Sequence, residues 1–347
     1  MSEEAVTRLW ARLRAALRRR WPGARVSEPL PLPGGASSLT FSAMLDGTVD
    51  ADGPIAIKMA PPGLKPVRNR DVLRQARAIR AVAGAEGVHV PEVLVTDVGT
   101  PPFFVMRFVA GEAYEPCWDV SGDPPAPDVV ARRARAAARM LPQLQAIDPA
   151  LVGLGDEPVI SPTQELERWV ALYATAGEDL RDGEAPLREA LRAHVPEAVG
   201  RPAILHGDYR LGNMQFAGDR LAALIDWELW ALGDPRHDLA FLLTFCDPGQ
   251  QRALAADPAN RAARAAMPDA ETLLNSYLQA AGRDAPPPDL DWFIAVCAYK
   301  LGATMAVIAK RNRRAESPDP DLERVAATTP PMLTRALDRL RGQPRPA

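Results

Sequence analysis

The chain has 347 residues, 47% of them hydrophobic and 24% charged, with a formal net charge of −3. This is globular composition, long enough for two cores or one bilobal unit, and it creates no field that favours nucleic acid or an anionic membrane as partner. Cys117, Cys246 and Cys297 are odd in number and widely spaced, which excludes a zinc knuckle and a disulfide framework and suits a reducing, cytoplasmic setting.

The first 25 residues, "MSEEAVTRLWARLRAALRRRW" and on, carry the arginines of a transit peptide. Glu3 and Glu4, with Leu9, Leu13 and Leu17 at helical spacing, read instead as an amphipathic surface helix. Residues 26–60 are β-rich: "VSEPLPLPGGASSLTFSAML" predicts a strand, a Gly34–Gly35 turn and a second strand, and "GPIAIKMA" a third. Residues 69–83 turn helical, with Val72, Leu73, Ala76, Ile79 and Val82 on one stripe. Two strands joined at Gly99-Thr100-Pro101 follow, then a Pro/Gly/Asp-rich passage, residues 115–128, between two lobes.

Beyond it the periodicity is helical over 129–146, 186–198, 237–246, 269–281, 290–314 and 321–341. A further helix starts at Ser161-Pro162-Thr163-Gln164, where Ser161 and Gln164 can form a capping box and Pro162 suits the first helical position. One β-rich island, "MQFAGDRLAALIDW", reads as a hairpin turning near Gly218-Asp219. The longest apolar stretch, Phe293 to Ala309, contains Lys300 and is too short to span a bilayer. The expected fold class is therefore α+β and bilobal. A terminal helix (1–25) precedes a small β-rich N-lobe (26–110) and a larger, mainly helical C-lobe (111–347).

The chemistry concentrates in "ILHGDYRLGNMQF", residues 204–216. Alone, His206-Gly207-Asp208 would be a tight turn with an incidental histidine. With four residues more and then Asn213, it has the H-x-D-x-x-x-x-N spacing of protein-kinase catalytic loops, and Asp226 follows thirteen residues later, across the hairpin. A carboxylate at Asp208 can accept the hydrogen bond of an acceptor hydroxyl and aim its oxygen at a γ-phosphorus. Magnesium wants hard oxygen ligands but keeps several waters, so Asn213 and Asp226 suffice for it. His206 is expected to bond backbone and shape the loop.

"HGDYRLGN" with "LIDWELWALGDPRHDLAFLL" resembles the aminoglycoside phosphotransferase/choline kinase-like family, nearest to the phosphotransferase domains related to acyl-CoA dehydrogenase-linked proteins. The similarity runs from about residue 26 to 245. It implies a two-lobed, protein-kinase-like fold, ATP or GTP with Mg2+, and phosphorylation of a small-molecule hydroxyl; a monomer or homodimer is expected. Position by position it makes Asp208 catalytic and Asn213 and Asp226 metal ligands. Lys58 falls where the family keeps a basic residue on the α/β-phosphates; a solvated strand-edge lysine is the alternative. Gly34, Gly35, Ser37 and Ser38 resemble the nucleotide loop. Met106, Arg107, Phe108 and Val109 resemble the hinge that meets the adenine edge, although a buried edge strand fits those residues equally well.

One position departs from the pattern. Gln75 stands where the family usually has an acid to pair with the strand lysine, which leaves Lys58 without a counter-charge unless Gln75 or Asp71 compensates. Arg210 lies on the substrate side of the loop with Asp208, and Glu228 follows Asp226 by two residues. "KRNRR", Lys310 to Arg314, with Arg335 and Arg339, either favours a neutral or anionic acceptor, such as a hydroxy acid or hydroxyacyl-CoA, or is a solvated helix end. Asp238 is expected to cap or anchor its helix under the loop, and His237 not to bind metal. The other readings are an antibiotic phosphotransferase, a nucleotide-binding pseudokinase module, and a metal-dependent hydrolase using His206 and Asp208.

Overall fold

Strand alternation decides which N-lobe side chains reach the cleft. The computed structural model describes residues 3–32, 37–119, 122–198, 200–246 and 257–342. Helix α1 (Glu3–Arg20) leads into strands β1 (Arg25–Val26), β2 (Leu30–Pro31), β3 (Leu39–Asp46) and β4 (Gly53–Met59). Helix α2 (Val72–Val82) and strands β5 (Val93–Asp97) and β6 (Phe103–Arg107) complete the lobe. The sheet is antiparallel, in the order β1-β3-β4-β6-β5, with β2 added on β3. Ile55, Ile57 and Met59 of β4 and Phe103 and Val105 of β6 point to one face, where Leu9, Leu13 and Leu17 of α1 bury them. The intervening residues necessarily face the other way. Lys58 pairs with Phe104 and Ala56 with Met106 across the ladder, so these four share the face turned toward the C-lobe.

The C-lobe contains α3 (Pro127–Ala146), β7 (Val159–Ile160), α4 (Pro162–Tyr173), α5 (Glu184–Ala193), β8 (Ala203–Leu205), β9 (Met214–Ala217), β10 (Arg220–Leu224) and β11 (Ala231–Gly233). It continues with α6 (Arg236–Thr244), α7 (Pro258–Ala265), α8 (Ala270–Ala281), α9 (Leu290–Asn312), α10 (Pro320–Ala326) and α11 (Thr329–Leu340). The capping box at Ser161 and Gln164 forms as the sequence predicts. Helix α9 is long and apolar enough to cross a membrane, longer than the apolar stretch suggested. Its most apolar window is 78% buried inside the lobe, as in a core helix.

Three features differ from expectation. The helix predicted to 198 stops at Ala193, short of Pro196, whose ring disfavours helical backbone before it. The helix predicted over 321–341 is two helices, because Pro330 and Pro331 must sit in a first turn, where their missing N–H groups cost nothing. Helix α7 and a three-stranded sheet, β7-β11-β8, were not anticipated.

Candidate functional site

The His206–Asp208 turn leaves β8 with nearly every backbone group assigned. Gly207 has φ +79°, and an added Cβ would collide with the Leu229 carbonyl oxygen, so only glycine fits there. Asp238, fully buried on α6, accepts the N–H of His206 at 2.6 Å and that of Gly207 at 2.9 Å. It anchors the loop rather than capping its helix, whose N-cap is Pro235. His206 Nε2 donates to the Ile225 carbonyl at 2.8 Å, and its Nδ1 accepts the Asp208 N–H at 3.2 Å. Burial pushes the imidazole pKa down, so the ring is a neutral spacer with both nitrogens occupied. Asn213 Nδ2 donates to Asp208 Oδ2 at 2.6 Å and to its carbonyl at 2.9 Å. Burial alone would raise the Asp208 carboxyl, but Arg210, Lys300, His206 and the Asn213 bond outweigh it and hold the group below the usual carboxylate range.

The β9–β10 hairpin then returns the chain to the same place. Met214 pairs with Leu224, and the Ile225 N–H donates to the Asn213 carbonyl at 2.8 Å, which brings Asp226 beside Asn213. Asp226 has left-handed backbone, φ +62°, and its Oδ1 takes the Lys58 ammonium at 2.5 Å. His206 bridges the Asp208 N–H and the Ile225 carbonyl, so Asp208 and Asp226 stand on adjoining backbone. Burial first and Asp226 second push Glu228 above the ordinary carboxylate range, and its Oε2 accepts the Ser37 hydroxyl from the N-lobe.

On the nucleotide side, Ser38 is buried with its hydroxyl lacking a partner, whereas Gly34 and Gly35 lie outside the described residues. The expected hinge is partly committed. The Arg107 N–H donates to the Glu92 carbonyl and the Phe108 N–H to the Pro54 carbonyl. The Arg107 side chain turns out to Glu92 at 2.6 Å, and Met106 packs into the main core. Val109 has no backbone partner among the described residues, which leaves its N–H and carbonyl as the open pair of the segment.

The expected compensation at Lys58 is corrected. Gln75 is buried, but its Nε2 donates to the Asn69 carbonyl at 3.0 Å and its Oε1 is unpartnered. Asp71 caps α2 by accepting the Arg74 N–H at 3.0 Å. Neither touches Lys58, whose counter-charge is Asp226, a residue of the other lobe.

On the opposite side Arg210 does lie beside Asp208, its Nε 3.4 Å from Oδ1. Its guanidinium also reaches Glu115 at 3.7 Å and sits 5.2 Å from the Trp118 ring centroid. The sequence reading missed Glu115. This carboxylate is fully buried, accepts the Gly212 N–H at 3.1 Å, and is pushed up to about 7 by burial against the pull of Arg210. The "KRNRR" run does not flank the site. Arg313 pairs with Glu323 at 2.9 Å, Arg339 pairs with Asp291, and Lys310 lies ten residues beyond Lys300 on α9, about 15 Å along the axis. His237 is buried 3.4 Å from Glu165, and no cluster of three metal-ligating His, Cys, Asp or Glu side chains occurs among the described residues.

The donor set nevertheless suits a hard cation held with few protein ligands. The Asn213 nitrogen is committed to Asp208, which leaves its amide oxygen available, and Asp226 keeps one oxygen clear of Lys58. A curled antiparallel lobe over a helical lobe, with such a loop between them, defines a kinase-like phosphotransferase fold.

The sequence comparisons place the chain within that class. A family model described as "Phosphotransferase enzyme family" matches residues 28–288, and the chain belongs to this family. Among curated proteins, mouse "Acyl-CoA dehydrogenase family member 10" is 25% identical over 83% of this chain and 27% of its own length. "Probable acyl-CoA dehydrogenase IBR3" of Arabidopsis thaliana is 30% identical over 53% of this chain and 24% of its own. The chain thus spans about a quarter of these relatives. A Ralstonia eutropha protein assigned as an aminoglycoside phosphotransferase shares the fold at TM-score 0.72 and 22% identity, over 96% of this chain and 98% of its own. A ternary complex of aminoglycoside phosphotransferase APH(4)-Ia with ADP and hygromycin B does so at TM-score 0.57 and 13% identity, over 92% and 96%.

Proposed function

We propose that the protein is a small-molecule kinase that moves the γ-phosphoryl group of ATP, or GTP, to a hydroxyl of a small metabolite. One observation carries the reading: Asn213 bonds Asp208, Lys58 of the N-lobe bonds Asp226 of the C-lobe, and the Ile225 N–H on the Asn213 carbonyl ties the two pairs together. Asp208 accepts the acceptor hydroxyl's hydrogen bond, orients its oxygen for in-line attack and takes up its proton as the new phosphorus–oxygen bond forms and the bond to the departing nucleoside diphosphate breaks. Asn213 holds the Asp208 carboxylate in register, and Arg210, on its other oxygen, keeps it ionised. Asn213 and Asp226 are the residues that would hold Mg2+, which when bound supplies charge neutralisation on the phosphates. Lys58 exchanges Asp226 for the α/β-phosphates, which Ser37 and Ser38 also meet. Val109, with Met106, Arg107 and Phe108, receives the base.

The dehydrogenase relatives suggest a hydroxy acid or hydroxyacyl-CoA as acceptor. The structural neighbours suggest an antibiotic instead, and the "KRNRR" run supports neither. Purified protein with ATP and Mg2+, offered panels of hydroxy acids, hydroxyacyl-CoAs and aminoglycosides and read by mass spectrometry, decides between them. Gain of one phosphoryl group on an acyl substrate is expected. Transfer to aminoglycosides alone would leave the kinase and overturn this acceptor class, and binding without transfer to anything would make the protein a pseudokinase.

A further inference from the structure

The Gly207 carbonyl belongs to the peptide that leads directly into Asp208. Its partner is the ammonium of Lys300, from the middle of α9. Lys300 is 2% exposed on a helix that is otherwise apolar at its centre, in a chain with only four lysines. Its nitrogen lies 3.9 Å from the Phe241 ring centroid and 5.2 Å from that of Trp169. Among the described residues it forms no ion pair with a carboxylate; Glu165, Asp238 and Asp208 act on it only from further off.

Packing does not account for this lysine. An ammonium taken out of water and compensated by one carbonyl and two aromatic faces costs more than a methionine of the same length. Such a group is retained where its hydrogen bond and charge have work to do. Here they act on a turn whose N–H groups are clamped by Asp238 and His206 and whose Asp208 carbonyl is held by Asn213, while the Gly207 carbonyl is held by Lys300.

We infer that Lys300 is a positioning residue for phosphoryl transfer: through the Gly207 carbonyl it fixes the peptide plane from which the Asp208 carboxylate projects. The inference rests on Asp208 acting as proposed above. The test substitutes Lys300→Met, which keeps the volume and removes the donor. Unfolding midpoint, hydrogen exchange of the 206–213 segment, nucleotide KM and kcat are then measured. Expected are a midpoint close to that of the unaltered protein, faster exchange in that segment, nucleotide KM within about twofold and kcat lower by about tenfold or more. A merely structural lysine would lower the midpoint and leave kcat alone. That result, or unchanged exchange, overturns the inference. Should the Met variant fail to fold, Lys300→Gln, whose amide ends one bond short of the carbonyl, is expected to lower kcat about threefold or more at unchanged KM. Unchanged kcat in the Gln variant overturns it equally. If the unaltered protein phosphorylates no acceptor, the kinase reading fails by itself, and exchange in the 206–213 segment still decides whether Lys300 orders the loop.

Discussion

Replacing Asp238 by Asn should separate loop geometry from nucleotide binding. The carboxylate is fully buried and accepts two backbone N–H groups, at 2.6 Å from His206 and 2.9 Å from Gly207. An asparagine fills the same volume but presents one oxygen and one NH2, so one buried N–H loses its acceptor. That loss costs about 1–3 kcal/mol, and the surviving bond loses its charge assistance. Asp238 is pushed up to about 6 by burial, so removing its charge returns part of that cost, and a net loss of about 2 kcal/mol is expected. For a chain of this size the loss lowers the unfolding midpoint by on the order of 3 °C. The released turn misplaces Asp208, for which a drop in kcat of about ten- to a hundredfold is expected. Nucleotide affinity should hold, because Lys58 and the hinge are untouched. Urea unfolding, nucleotide titration and coupled ADP release measure the three quantities. Full kcat together with unchanged stability would refute the clamp.

Lys58→Met removes the cation expected to meet the phosphates and should lower kcat/KM for nucleotide by about 10- to 100-fold, measured by initial rates; an unchanged ratio would return Lys58 to a purely structural partner of Asp226. Gly207→Ala meets both the positive φ and the Leu229 carbonyl and should cost about 2–4 kcal/mol in a denaturant melt, with a midpoint equal to that of the unaltered protein as the contrary result. Glu115 binds its proton more tightly folded, near 7, than its ordinary 4.5, so the stability it contributes is complete below about 4.5 and fades as pH rises toward 7. Glu115→Gln should flatten the pH dependence of unfolding in that window by up to about 3 kcal/mol, and an unaltered slope would count against the burial argument.

What was legible in the sequence follows from covalent distance. Asp208 and Asn213 lie five residues apart on one loop, and a tight hairpin carries the chain back to Asp226, so spacing alone brought three of the site residues together. Lys58 was legible through the family resemblance, and alternation on β4 does set it opposite Ile57 and Met59, which the core covers. Of the supports, Asp238 was expected beneath the loop, and two others were not readable. Lys300 and Glu115 reach the loop from 93 and 97 residues away, from a helix and a connector whose packing no local pattern encodes. The counter-charge of Lys58 was sought on the neighbouring helix, by analogy with the family, whereas the fold supplies it from Asp226 across the cleft. Strands of two or three residues, as in β7-β11-β8, are too short to show a period. Helix α7 did carry its signal, Asp257 as N-cap and Pro258 at the first position, though its eight residues offered little periodicity.

The most direct test is single-turnover phosphoryl transfer by Asp208→Ala. With saturating Mg-ATP and an acceptor that the unaltered protein phosphorylates, the rate should fall by about a thousandfold or more while the nucleotide dissociation constant stays within about threefold. Transfer at the unaltered rate, or lost nucleotide binding with the residual rate intact, would contradict the assignment of the Asp208 carboxylate to the attacking hydroxyl.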